Sequence, residues 1–242
     1  MAPAVSPNQD AIYLALWTFL TGIMPVGFPV LKGQVNRVPE PPNTNYAVMT
    51  FMRQERIETN VDTVSDVVFT ASIAGTLMTV SDVRIGTIDV GAQVFGTGLA
   101  GGTATQVVAL LSGTGGAGTY TVTPSQIAAS QQMAAGGQTF LQPTKLTIQV
   151  DVHGPDGANN AQVISTLMRD PYAVERFAEL NEDVIPLYAD DPKQTPFLNE
   201  NQQYEDRWTV EVMLQANQTV AGIPQQFAGS LVVDLVAADD LP

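Results

Sequence analysis

The chain has 242 residues, 45% of them hydrophobic, enough for a packed core in one large domain or two small ones. It contains no cysteine, which excludes disulfide staples, thiolate nucleophiles and zinc-thiolate sites and suits a chain made in a reducing cytoplasm. With 24 acidic residues against 10 basic ones and a formal net charge of -14, a phosphate-gripping groove would have few cations to draw on, so tight nucleic-acid binding is not expected.

In chain order, Met1 to Met24 holds an apolar run from Ala11 to Leu20. Asp10 precedes the run, no basic region does, and it falls short of the roughly 20 residues that span a bilayer, so neither a signal peptide nor a membrane anchor is expected. Ser6 as cap, Pro7 in the first turn and Pro25 as terminator predict a helix of about five turns. Its buried stripe would be Ile12, Leu16, Phe19, Leu20 and Ile23. Tyr13, Leu14 and Trp17 lie off that stripe and are candidates for cover by a neighbouring subunit.

After prolines 39, 41 and 42, Tyr46 to Met52 reads as a strand, followed by polar, charged sequence to Ser65. Between about Asp66 and Ala134 the character changes to Gly, Thr, Ala, Val and Ser with almost no charge. Short β-prone pieces, Leu77 to Val83, Gln93 to Phe95, Gln106 to Leu111 and Thr119 to Thr123, alternate there with glycine turns, which predicts a small all-β module. Two turns, Gly96 to Gly101 and Gly113 to Gly118, satisfy the G-x-G-x-x-G spacing of dinucleotide folds. No helical pattern follows either one, so no pyrophosphate site and no cofactor is expected.

Beyond the module, Leu146, Ile148, Val150 and Val152 alternate with Thr147, Gln149, Asp151 and His153, the period of a strand with one buried and one wet face. Gly154 to Gly157 form a turn; Asn159 or Asn160 would cap a helix to Arg169 that buries Val163, Ile164, Leu167 and Met168. Pro171 starts a second short helix through Leu180. Trp208, Val210, Val212 and Leu214 alternate in another strand, and a last one is expected over Ser230 to Val236. Together the flanks predict an α+β domain of residues 1–65 and 135–242, a mainly antiparallel sheet packed by helices, with residues 66–134 inserted as a separate β-module.

No catalytic or metal constellation emerges. His153 is the sole histidine, at a solvent-facing strand end, with no second imidazole or thiolate to share a metal. Asp190 and Asp191 are sequence neighbours before Pro192 and suit a turn; Asp151 with Asp156, and Asp239 with Asp240, lack the alternating oxygen ligands of a calcium loop. The chain is therefore not expected to be an enzyme.

Several pieces together carry a resemblance: Tyr46 to Thr50, Asp151 to Pro155, Leu167 to Asp170, Pro186 to Pro192, and above all Gln203-Tyr204-Glu205-Asp206-Arg207-Trp208 leading to Leu214-Gln215-Ala216-Asn217. In order and spacing they resemble the neck or tail terminator proteins of long-tailed bacteriophages. The interrupting segment, with Gly75-Thr76-Leu77, Gly86-Thr87-Ile88 and Gly118 to Val122, is similar to a Gly/Thr-rich β-module of phage structural proteins. The resemblance implies a virion protein assembled in the host cytoplasm: a homo-oligomeric ring, commonly six-fold, that caps the tail tube and joins it to the head connector. DNA would pass through its lumen without tight binding, and no membrane is involved. Tail-tube or head-completion proteins, or an adhesive module binding carbohydrate, are the alternatives. Arg207 is expected either as a surface residue or in an inter-subunit pair with Glu205 or Asp206 of a neighbour. With Tyr13 and Trp17, these residues form the candidate interface.

Overall fold

A computed structural model describes residues 4–34, 45–99, 104–195, 197–198 and 204–224. In order the elements are β1 (Ala4–Ser6), α1 (Gln9–Ile23), β2 (Val30–Lys32), β3 (Tyr46–Arg56), β4 (Val61–Ile85), β5 (Gln93–Phe95), β6 (Thr105–Leu110), β7 (Gly118–His153), α2 (Gly157–Met168), α3 (Pro171–Leu180), β8 (Val184–Ala189), β9 (Lys193–Gln194), β10 (Phe197–Leu198), β11 (Tyr204–Glu205) and β12 (Arg207–Pro224). The chain divides into two compact units, one centred on Asp62–Phe140 and the other on Val5–Val61 with Leu141–Thr219.

The expected α+β layer of helices on an antiparallel sheet is not what forms. Strand dominates, with three helices among the described residues, and ten strands pair in a mixed sheet because β2 runs parallel to β3. The physical reason is that strand also takes in residues that commonly interrupt it. Gly75 sits inside the 25-residue β4, and Pro124, Gly136, Gly137 and Pro143 sit inside the 36-residue β7. β7 continues through Gly136, Gly137 and Pro143, whereas at Gly75 the chain turns back on itself: the Ser81 hydroxyl donates to the Thr70 carbonyl at 3.2 Å, so the two arms of β4 lie side by side.

In the unit of Val5–Val61 and Leu141–Thr219, the strands lie in the order β1-β12-β7-β3-β2, with β8 and β9 also on β12. Period-2 alternation puts Leu146, Ile148, Val150 and Val152 of β7 and Val210, Val212 and Leu214 of β12 at zero exposure on one face. Residues Ile12, Leu16, Phe19 and Leu20 of α1, Ile164 and Met168 of α2, and Phe177 of α3 share that core. Each such aliphatic side chain contributes roughly 1.5–3 kcal/mol on burial.

The helix starts differ from expectation. Asn8 caps α1, its side-chain oxygen accepting the Ala11 N–H at 2.9 Å, while Ser6 belongs to β1. Asp156, in place of Asn159 or Asn160, occupies the cap position of α2, with no side-chain cap bond. A long-range contact sets that start: Asn45 Nδ2 donates to Asp156 Oδ2, and Asp156 N–H donates to Asn45 Oδ1, both at 2.8 Å. Val163 is exposed, and Ala161 takes its expected place beside Ile164 in the core. The strand expected over Ser230 to Val236 lies outside the described residues.

The unit of Asp62–Phe140 has its own core, in which Val67, Phe69, Ala71 and Ile73 alternate inward along β4. After Gly75 the inward set changes phase to Met78 and Val80. Gly75 takes a φ of +70°, open to residues without a Cβ, and turns the chain back, so that Met78 and Val80 share the inward face with Ile73 and Ala71. Across β6 and β7, Val107 pairs with Val122 and Leu110 with Tyr120. Tyr120 is fully buried and donates its hydroxyl hydrogen to the Gly116 carbonyl, and a Cβ on Gly113 would collide with its ring. From Val90 to Thr144 the sequence has no charged residue.

Burial holds the Tyr120 hydroxyl above its ordinary pKa of 10.0. On unfolding it ionises near that value while the folded chain keeps its proton, so this contribution is complete below pH 10 and is lost as pH rises beyond it. Chemical denaturation at a series of pH values should show stability falling above pH 10. In Tyr120→Phe that fall should flatten; an unchanged slope would assign it to other groups.

Candidate subunit interface

Of the expected interface residues, Arg207 and Asp206 lie where β12 begins. Arg207 Nε lies 3.7 Å from Asp151 Oδ1 of its own chain. Asp151 is buried on the sheet face opposite the aliphatic core and accepts from Gln149 Nε2 at 2.7 Å and from Thr209 Oγ1 at 2.6 Å. Burying a carboxylate is tolerable only with such partners, and Arg207 supplies the opposite charge. Asp206 is exposed; its carboxylate accepts from Gln194 Nε2 at 3.3 Å and its carbonyl from the Gly154 N–H at 3.0 Å. Glu205 pairs with Phe197 across the β10–β11 ladder.

The polar face of β7, expected to be wet, is covered near its end. His153 is buried, not solvent-facing: β3 runs alongside with Tyr46 directly opposite, and the two rings stack 4.5 Å apart at 4°. Alternation within one strand could not reveal this, because the cover comes from another strand. Asp151 and Thr209, which surround Arg207, were equally invisible as a group, being 58 residues apart.

Tyr13 and Trp17 sit on α1 and line one open groove of about 420 Å³ with Asp10, Leu14, Val30 and Lys32. Tyr13 faces its own chain: it is buried, its hydroxyl accepts the Phe51 N–H at 2.9 Å, and the Lys32 amine lies 4.5 Å above its ring. Lys32 also pairs with Asp10 at 2.8 Å. Trp17 is 42% exposed and Leu14 61%. The Trp17 indole N–H donates to the Val30 carbonyl at 3.1 Å, and the Thr18 and Thr21 hydroxyls donate back to helix carbonyls. No charged residue falls between Ala11 and Met24. The outward side of α1 is thus apolar with its donors already engaged, unlike the charged outer face of an ordinary surface helix.

Other candidates dissolve into local structure. Asp191 pairs with Arg169 at 3.0 Å and Asp190 lies 3.8 Å from Lys193, a pair of exposed turn contacts. Among the described residues no three metal-ligating side chains come together. The turn of Gly113 to Gly118 runs into β7, and the one beginning at Gly96 is followed by β6, so neither opens a helix. No helix among the described residues is long and apolar enough to cross a membrane.

Removing one partner of a buried carboxylate is costly. Thr209→Val deletes one donor to Asp151 and should lower the unfolding free energy by about 1–3 kcal/mol, read from urea denaturation. A loss within a few tenths would mean that water replaces the hydroxyl.

A protein-family model described as phage neck terminator protein matches residues 112–236. The matched stretch begins inside the Gly/Thr-rich segment and contains α2, α3, β8 and the Asp151, Arg207 and Thr209 cluster. No curated protein matches the chain.

Proposed function

This chain belongs to the phage neck terminator protein family, and from that premise we propose that it forms a ring that caps the tail tube and joins it to the head connector. At the coarser level it is a structural protein of the phage neck, and hence of the virion. The single observation that carries the finer reading is the family match over residues 112–236.

Two features are consistent with the proposal. A conduit for DNA should not hold it, and acidic side chains on a lumen would repel phosphates over about 8 Å, the Debye length at physiological salt. The net charge of -14 supplies such side chains. A ring also needs a surface for its neighbours. Leu14 and Trp17 on α1 offer an uncharged, apolar one, with Asp206 and Glu205 as further candidates, whereas Arg207 and Tyr13 have partners in their own chain. The ring is six-fold in this reading, its other contacts are the tail-tube protein and the connector, and no step of catalysis is involved.

We read residues 66–134 as an inserted module that decorates the ring's exterior. Carbohydrate binding by it is disfavoured by its aromatics: Phe69 and Tyr120 are fully buried and Phe95 is half-buried, leaving none of these three as an exposed sugar platform.

The deciding experiment is disruption of the gene in the source phage with negative-stain imaging of the lysate. Separate DNA-filled heads with unjoined or overlong tails are expected; normally joined particles would refute the terminator role. For the interface, Leu14→Asp with Trp17→Glu should convert the assembled species to monomer in sedimentation velocity while leaving thermal unfolding within a few degrees. Unchanged assembly would remove α1 from the contact.

A further inference from the structure

We propose that Tyr13 is an edge stop: its hydroxyl occupies the backbone donor at which a further strand would otherwise join β3, and so keeps two copies of this chain from fusing through that edge. This does not rest on the ring reading.

The argument follows the outward-facing amides of β3. One side of the strand is paired with β7 from Tyr46 to Arg56. On the other side β2 pairs only with Ala47, Val48 and Met49. Successive outward groups are each satisfied by a different device. The Ala47 N–H donates to the Pro29 carbonyl at 2.9 Å, the Met49 carbonyl accepts from the Gly33 N–H at 2.7 Å, and the Phe51 N–H donates to the Tyr13 hydroxyl at 2.9 Å. Phe51 is therefore the first outward donor past the end of β2, and a side chain from a helix takes the place of a strand.

Three further features sit at the same point. The ladder with β7 shifts register between Phe51 and Arg53, which bends the strand. The residues beyond are Arg53, Gln54, Glu55 and Arg56, and charged side chains blunt an edge. Tyr13 is itself held in place, with the Lys32 amine over its ring, Asp10 2.8 Å from that amine, and the Phe51 ring 6.1 Å from its own. An unpaired row of N–H and C=O groups is a template for another chain. Here Met52 is 55% exposed and Ile57 49%, so an open edge would also carry apolar side chains to reward such pairing.

Tyr13→Phe removes one oxygen and keeps the ring in the packing. Two readouts test the role, amide hydrogen exchange at Phe51 and self-association followed by sedimentation and thioflavin fluorescence. The expected result is about tenfold faster exchange at Phe51, the factor that one ordinary hydrogen bond carries, together with new concentration-dependent, thioflavin-positive association. Adding Met52→Lys should reverse that association, because a charge restores the block by another route. Faster exchange with unchanged association would overturn the proposal, since the hydroxyl would then serve the fold alone. Should Tyr13→Phe fail to fold, the unaltered chain decides: a Phe51 amide that exchanges as fast as the exposed loop amides would equally overturn it.

Discussion

The unit of Val5–Val61 and Leu141–Thr219 depends on the placement of β7 between β3 and β12. Leu146, Ile148, Val150 and Val152 reach zero exposure because a strand flanks them on each side and helices cover their face. A one-residue slip in either ladder would turn these four side chains outward and bring Gln149, Asp151 and His153 into the aliphatic core. The penalty for burying those polar groups there, together with the burial lost, sets the register. The same register places Asp151 under Arg207 and Tyr46 on His153.

The polar face of the same sheet is held by a second constraint, the need to satisfy what it buries. Asp151 is covered and therefore takes donors from Gln149 and Thr209 and charge from Arg207. At the end of the sheet, Asn45 engages Asp156 and the Asp206 carbonyl takes the Gly154 N–H, which ties the turn before α2 to β12. An arginine committed in this way positions its own strands.

The Asp62–Phe140 unit works by different means. With no charge from Val90 to Thr144, it is organised by close backbone approach at glycine and by a turn at Gly75. At Gly86, with φ +76°, any Cβ would strike the Asp66 carbonyl, and at Gly113 it would strike the Tyr120 ring. These glycines are fixed by sterics, which is also why a Gly/Thr-rich sequence can still specify one packed core.

What the sequence determined by itself was local and periodic. The alternation from Leu146 to Val152 and from Trp208 to Leu214, the stripe of α1, and Pro171 at the start of α3 were legible because one face of each element is apolar and the period names the element. The resemblance to phage neck terminators was legible too, and its pieces from Asp151 onward fall within the family match, while Tyr46 to Thr50 lies outside it. The tertiary structure alone decided the rest. It ran β7 through Gly136, Gly137 and Pro143, replaced Ser6 with Asn8 and Asn159 or Asn160 with Asp156 as caps, buried His153, and turned Tyr13 and Arg207 toward partners in their own chain. Four of those outcomes depend on a group far away in sequence, Asn45 for the α2 start, Tyr46 for His153, Phe51 for Tyr13, Asp151 for Arg207, and periodicity carries no information about which distant residue will arrive.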